Sequence, residues 1–217
     1  MVIPRIRRLF HLTRTRTGAS YGEWLARDWQ WTFAFPADAA PGFGTAPFSA
    51  NQSGKVWFLP GSFGPTTLTG TVPEDTALFG FAYTIEEDNT ACPTYTDYSV
   101  DQLIGFAETF WTQVTETSFT IDGVTVPGME NPQTTPYFVL TPPFAYTLAS
   151  HDNLYANAFG EPCIPDGTTV YPTVAAGVCV MIRPLPVGHH TIQVVDVIAG
   201  ASYELTWEIT VVPRCHK

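Results

Sequence analysis

The stretch Ser118-Phe-Thr-Ile-Asp-Gly-Val-Thr-Val126 decides the fold class of this chain. Apolar and polar residues alternate on both sides of Asp122-Gly123, as they do in strands with one buried face. Asp-Gly supplies the positive φ angles that a tight primed turn requires, so the stretch predicts a β-hairpin. The pattern stays β from Thr117 onward, and further strands are predicted at 137–148, 169–172, 177–183, 190–198 and 202–212.

The chain upstream of the hairpin predicts two helices and two strands. One helix at 20–33 begins with a capping box, Ser20 and Glu23, and its tryptophan-rich face is expected to cover an edge or end of the β body. The second helix spans 99–114, and the strands cover 55–59 and 77–84. Many short strands with two inserted helices predict a mainly β fold, an antiparallel β-sandwich with jelly-roll or Greek-key connections and an N-terminal extension.

Length and composition favour one domain. The 217 residues are 45% hydrophobic and can bury a sizeable core, so we expect a basic arm at 1–19 and a β-sandwich domain at 20–217. The apolar runs are too short to cross a bilayer, and no secretory signal is evident in the first twenty residues. The location stays open, with the extracellular space or an assembled particle favoured.

The charges are divided between the arm and the body. Five of the ten basic residues lie in the first sixteen positions, where there is no acid, and the rest of the chain carries twenty acids against five bases. Opposite fields on two parts of one chain attract between copies. Fully extended, the arm would reach roughly 50 Å, which is enough to cross a neighbouring subunit. The residues expected to make this inter-subunit contact are Ile3, Arg5, Ile6, Arg7, Arg8, Phe10, Arg14 and Arg16.

The four cysteines predict a disulfide better than a metal site, because no C-x-x-C pair or histidine stands at zinc-ligand spacing. Cys92 and Cys163 both lie in proline-flanked loop sequence, whereas Cys179 lies within an apolar strand. We therefore expect any disulfide to join Cys92 with Cys163 and Cys179 to be buried and unreactive. If all four cysteines, including Cys215, were bridged, the sequence alone would not choose among the three pairings.

A collection of short phrases resembles a broad set of uncharacterised bacterial β-rich proteins that are often exported. The phrases are Tyr21-Gly-Glu-Trp24, Trp29-Gln-Trp31, Gln52-Ser-Gly-Lys-Val-Trp-Phe-Leu-Pro-Gly61, Val72-Pro73, Ala77-Leu-Phe79, Ile121-Asp-Gly-Val124, Asp152-Asn-Leu154 and Pro184-Leu-Pro-Val-Gly-His-His-Thr-Ile192. The resemblance covers about 20–212 and omits the arm. It implies turns, tryptophan anchors and strand entries but no established activity, so no catalytic residue is carried over.

Two further groups of residues could bind a ligand. The aromatic residues Trp29, Tyr95, Tyr98 and Trp207 are candidates for a platform on which sugar rings stack. The acidic loop offers Glu86, Glu87, Asp88 and Asp97 to calcium, although a regular calcium-loop spacing is absent and a solvated loop is the plainer interpretation. We expect no other cofactor.

Signals for catalysis are weak. Gly18-Ala-Ser20-Tyr-Gly22 fits the nucleophile-elbow pattern, but Ser20 already has a capping role and no apolar strand precedes it. His189 and His190 would point to opposite faces of one strand, which disfavours a shared metal, and His190 is expected to bond its ring to the backbone.

We therefore expect a non-enzymatic, self-assembling structural protein whose main partner is other copies of itself. A glycan- or polymer-binding module is the alternative, and a hydrolase of unknown class comes last. Nucleic acid is a disfavoured partner, because five arginines suffice only for nonspecific phosphate contacts.

Overall fold

A computed structural model describes residues 18–214, so the predicted contact residues of the arm and Cys215 lie outside the described residues. The protein is mainly β, with 40% strand and 16% helix. The helices are α1 (Tyr21–Phe33), α2 (Val100–Trp111), α3 (Leu154–Asn157) and a short 3₁₀ helix at Ala37–Ala39. The strands are β1 (Val56–Phe58), β2 (Thr66–Pro73), β3 (Ala77–Glu87), β4 (Val114–Ile121), β5 (Val124–Thr125), β6 (Phe138–Leu140), β7 (Phe144–Thr147), β8 (Thr169–Ile182), β9 (Gly188–Ile198) and β10 (Ala201–Val212).

The strands form two five-stranded sheets, and both are mixed. Sheet 1 has the order β1-β3-β8-β6, with β7 also paired to β8, and sheet 2 has the order β2-β10-β9-β4-β5. The β1–β3 and β2–β10 pairs are parallel. The expectation of purely antiparallel sheets was therefore wrong, and jelly-roll or Greek-key connections are not confirmed.

The unpredicted strand β2 explains the parallel pairing of β1 with β3. Its sequence is rich in threonine and its side chains are mostly half-buried or exposed, so no apolar alternation marks it. The chain leaves sheet 1 after β1, runs through β2 in sheet 2, and returns as β3 alongside β1. Because one extra strand intervenes, β3 runs in the same direction as β1.

Two other strand boundaries differ from the prediction. The segments 169–172 and 177–183 belong to one continuous strand, β8, whereas 137–148 is divided into β6 and β7. Pro142-Pro143 lies at that division, and proline cannot donate to a strand ladder. The third helix, α3, has only four residues and was not predicted.

Sheet 1 is buried on both faces. Cys179 and Met181 of β8 belong to a cluster that includes the apolar face of α1, and Val178, Val180 and Ile182 belong to a second cluster shared with sheet 2. This explains the continuous apolar run of β8, because a strand covered on both faces has no polar side. Helix α1 therefore covers a face of sheet 1. The sequence analysis had placed it at an edge or end of the β body, and that expectation was wrong.

The predicted turn and cap are both present. Asp122 and Gly123 have φ angles of 51° and 72°, and the β4–β5 hairpin forms around them. The Ser20 hydroxyl accepts from the amide of Glu23 at 3.2 Å, and the Glu23 carboxylate accepts from the Ser20 amide at 2.6 Å. A Cβ at Gly22 would lie 2.7 Å from the carbonyl oxygen of Leu140, so glycine allows α1 to pack closely. Helix packing and capping therefore account for the nucleophile-elbow pattern.

Asp28 is a buried acid on the inner side of α1. Its side chain is 3% exposed, and its Oδ1 has no hydrogen-bond partner. Burial raises the pKa of Asp28 well above its ordinary value, and the carboxyl group lies close enough to Cys179 to raise the pKa of that buried thiol. The native protein therefore holds a proton on Asp28 that the unfolded chain releases above its ordinary pKa of about 4.

We predict that Asp28→Asn increases the free energy of unfolding near pH 8 by about 1–3 kcal/mol, because the buried group no longer has to be protonated. The native state binds more protons than the unfolded state above pH 4, so the stability contribution of Asp28 falls as pH rises. Denaturant unfolding at pH 5 and pH 8 checks this, and Cys179→Ala is the control because the thiol that it removes is neutral at both pH values. An Asn variant with an unchanged pH dependence would contradict the assignment.

Candidate functional site: an acidic aromatic cleft

Residues 18–214 form a cleft of about 650 Å³. Its walls come from the second half of β3, the ends of α1 and α2, the neighbourhood of α3, and the facing parts of β9 and β10. Six carboxylic acids and nine aromatic side chains line it, and none of the lining residues is Lys, Arg or His. The acids are Glu86, Glu87, Asp88, Glu161, Asp196 and Glu204; the aromatic residues are Trp29, Phe43, Phe63, Phe81, Tyr83, Phe110, Tyr155, Phe159 and Tyr203.

A β-bulge gives β3 its shape at the cleft. The pairing with β8 shifts between Phe81 and Thr84, where three residues of β3 advance against two of β8. Gly177 permits this, because a Cβ there would lie 2.5 Å from the carbonyl oxygen of Tyr83. A bulge re-aims the side chains of its strand. Tyr83 and the acidic residues that follow it consequently line the cleft.

Two tyrosines and two acids form a hydrogen-bonded network at one wall. The Tyr146 hydroxyl bonds to Asp88 Oδ2 and lies 2.8 Å from the Tyr155 hydroxyl. The Tyr155 hydroxyl lies 2.7 Å from Asp88 Oδ2 and 3.0 Å from Glu86 Oε2. The rings of Phe33, Tyr146 and Tyr155 stack nearly parallel, with Phe33 4.2 Å from Tyr146 and 5.2 Å from Tyr155, and this stack fixes the hydroxyls.

The surroundings of Glu86 in this network favour its protonated form. Burial raises the pKa of Glu86 well above its ordinary value, and the nearby charge of Asp88 raises it further. The Tyr155 hydroxyl is within donating distance of both Glu86 Oε2 and Asp88 Oδ2, and its bond to Glu86 partly offsets the effect of burial on the pKa of that acid. Although part of the Glu86 side chain is accessible, its Oε1 is enclosed and has no hydrogen-bond partner. The wall therefore brings two carboxyl groups together around two tyrosine hydroxyls.

Asp196 lies on β9 at a position that faces the core. The alternating buried residues of this strand are His190, Ile192, Val194, Asp196 and Ile198. Asp196 is 3% exposed, its Oδ1 has no partner, and burial raises its pKa to about 7. An uncompensated buried acid carries a desolvation cost that a bound cation would offset.

The loop beyond β3 is tied to the opposite wall. A disulfide joins Cys92 to Cys163, and the Cys92 amide donates to Glu161 Oε2 at 3.0 Å. Asp88 Oδ1 also accepts from the amide and the hydroxyl of Thr90, at 2.5 and 2.6 Å. The predicted pairing is confirmed, and Cys179 is a free, fully buried thiol as expected. The bridge brings Glu161 to the rim of the cleft.

The predicted aromatic platform does not exist as one surface. Trp207 is fully buried and donates its Nε1 hydrogen to the carbonyl oxygen of Pro60 at 2.9 Å, so its assignment to a platform was wrong. It shares the buried side of β10 with Leu205, Ile209 and Val211. Tyr95 and Tyr98 are exposed but do not line the cleft, and only Trp29 of the four predicted residues does.

The predicted calcium ligands are also divided. Glu86, Glu87 and Asp88 line the cleft, whereas Asp97 is an exposed residue outside it. Over 18–214, no group of three or more His, Cys, Asp or Glu side chains is placed to hold a metal ion. Both ring nitrogens of His190 are engaged, with the carbonyl oxygen of Pro186 at 2.8 Å and Asp122 Oδ2 at 2.9 Å. The backbone bond expected for His190 is confirmed.

Comparison with known proteins does not name a family. No family model matches the chain, and no curated protein does. Among solved structures, a cysteine protease inhibitor from Entamoeba histolytica is 13% identical, with a TM-score of 0.20 over 69% of this chain and 88% of the inhibitor. PbICP-C, solved in complex with falcipain-2, is 16% identical, with a TM-score of 0.23 over 74% of this chain and all of that one. Scores this low do not establish a shared fold. Within the described residues, no helix is long and apolar enough to span a membrane.

Proposed function

We propose that the protein is a self-assembling structural protein, a subunit of a homo-oligomer, filament or shell, in which the N-terminal arm of one copy contacts the body of another. The observation that carries the proposal is the division of charge. The arm has five arginines and no acid, whereas all twenty acids lie in the part of the chain that the structure describes. Two such charge distributions attract each other over about 10 Å at moderate salt.

The apolar residues of the arm support the same proposal. Val2, Ile3, Ile6, Leu9, Phe10 and Leu12 are interspersed with the arginines. A segment intended to remain in water would gain nothing from them, whereas burying each large side chain against a neighbour contributes about 1.5–3 kcal/mol. Electrostatic attraction would speed the encounter of two copies, and apolar burial would hold them together.

Deletion of residues 2–16 tests the proposal. The intact chain should sediment as an assembly at micromolar concentration, and the deleted chain should sediment as a folded monomer, because residues within 18–214 form two large hydrophobic clusters. Circular dichroism of the deleted chain controls for folding. If the deleted chain forms the same particles as the intact chain, the proposal is wrong.

The cleft favours a second candidate, an extracellular glycan- or polymer-binding module. Aromatic side chains beside carboxylates suit sugar rings, which present apolar faces and hydroxyl groups. Trp29 stacks on Phe33 at 5.2 Å and lines the cleft, so its fluorescence should change when a sugar stacks nearby. Titration with soluble oligosaccharides, with Trp29→Leu as control, distinguishes this candidate. Binding by the monomer without any assembly would favour it over the first proposal.

A further inference from the structure

We propose that the acidic aromatic cleft is the docking site for residues 1–16 of a second copy of the chain. This inference rests on the self-assembly proposed above and adds the location of the contact. The cleft is an interaction surface, and the partner it fits is a cationic segment that also carries large apolar side chains.

Charge complementarity selects the occupant. Among the residues that the structure describes, six acids and no base line the cleft, and the arm is the one stretch of this chain that concentrates arginine without acid. A guanidinium group can bind a carboxylate through two parallel hydrogen bonds while its plane stacks on an aromatic ring. The cleft offers both partners side by side, with Glu87 and Asp196 near Tyr83.

The enclosed acids add a second argument. Asp196 and Glu86 each have an oxygen atom that is buried without a hydrogen-bond partner. Burial raises the pKa of both acids, and the charge of Asp88 raises that of Glu86 further, so a bound guanidinium would favour their ionised forms. An anionic partner such as a phosphate or an acidic sugar would be repelled by the ionised carboxylates of the wall.

The mouth of the cleft also offers apolar surface. Phe63 is 58% exposed and Tyr203 is 42% exposed, and both line the cleft. Phe63 already makes edge contacts at 4.8 Å with Phe43 and Phe159, so its ring is held in place for a partner. Ile3, Ile6 and Phe10 supply matching side chains on the arm.

The experiment uses full-length chains with one side of the contact altered in each. An arm variant carries glutamate in place of Arg5, Arg7, Arg8, Arg14 and Arg16, and a cleft variant carries Glu87→Lys with Glu204→Lys. Glu108→Lys with Glu116→Lys is the matched control, since both residues are exposed and outside the cleft. The assembly constant of the arm variant and that of the cleft variant should each fall at least tenfold. The assembly constant of the control variant should change less than threefold.

Mixing the two variants gives the decisive measurement. The arm variant keeps an intact cleft and the cleft variant keeps an intact arm, so an equimolar mixture should form one-to-one dimers that neither forms alone. Analytical ultracentrifugation with one variant fluorescently labelled measures this. No dimer in the mixture, or a cleft variant that assembles like wild type, overturns the docking site. If the arm variant also assembles like wild type, the proposed function itself fails.

The pH dependence provides an independent readout. Asp196 lies near Tyr83 of β3 and is paired with Tyr203 of β10, while Glu87 and Glu204 line the same cleft, and all of these are neutral or acidic groups. Burial raises the pKa of Asp196 to about 7, and arginine binds the ionised form of this side chain. The assembly constant should therefore rise about tenfold from pH 6 to pH 8. The comparison is with Asp196→Asn, which keeps every other titratable group of the chain. An equal pH response in this variant would contradict the role of Asp196.

Discussion

Replacing the five arm arginines with glutamate should weaken assembly about a hundredfold relative to the intact chain. Five exposed ion pairs at about 0.5 kcal/mol each amount to roughly 2.5 kcal/mol, and the new acids add repulsion against the body. The body carries twenty acids and five bases, so a negative arm has no favourable place on it. Sedimentation velocity over a concentration series measures the change in the assembly constant.

The matched control replaces the same five arginines with glutamine. This variant loses the attraction without adding repulsion, so its assembly constant should lie between those of the intact chain and the glutamate variant. Raising the salt concentration should weaken the assembly of the intact chain but strengthen that of the glutamate variant, because screening reduces attraction in one and repulsion in the other. A glutamate variant that forms the same particles as the intact chain would exclude an electrostatic role for the arm.

Removing the disulfide should lower the free energy of unfolding by about 4 kcal/mol. Cys92 and Cys163 are 71 residues apart, and breaking a bridge that closes so long a loop increases the conformational freedom of the unfolded chain. Cys92→Ala with Cys163→Ala should show this loss in denaturant unfolding. The intact protein under reducing conditions should show the same decrease in the free energy of unfolding. Cys179→Ala alone should lower the free energy of unfolding by only about 1 kcal/mol.

The same double variant should also weaken assembly. The bridge holds the loop after β3 against the segment that carries Glu161, and both parts line the cleft.

For the stability prediction, a decrease in the free energy of unfolding below about 1 kcal/mol, or an unchanged melting temperature, would show that the bridge contributes little to the fold.

Local sequence patterns predicted the elements whose signals are self-contained. The Asp122-Gly123 turn, the capping box of Ser20 and Glu23, and the apolar run around Cys179 each specify a local structure, and the structure bears them out. The disulfide followed from proline-flanked loops. In contrast, the threonine-rich strand β2 has no apolar alternation, so the parallel pairing that it causes was missed.

The cleft was only partly predictable. Glu86, Glu87 and Asp88 were recognised as an acidic loop, although the first two lie at the end of β3. Asp196 was missed, yet it left a signal: an acid occupies one of the core-facing positions in the alternation from His190 to Ile198. Trp207 alternates with the apolar residues Leu205, Ile209 and Val211 on the buried side of β10, and this local pattern is a signal for its burial. The meeting of β3, β9 and α3 depends on tertiary packing that no local pattern encodes.

Photo-cross-linking between isotopically distinct copies tests the central claim most directly. A photoreactive phenylalanine analogue would replace Phe10, and this chain would be mixed with an isotope-enriched chain before irradiation and mass spectrometry. Our account predicts cross-links from the unenriched arm to enriched peptides that contain Phe63, Tyr83 or Tyr203 at the cleft. Cross-links confined to one copy, or cross-links to enriched peptides away from the cleft, would contradict it.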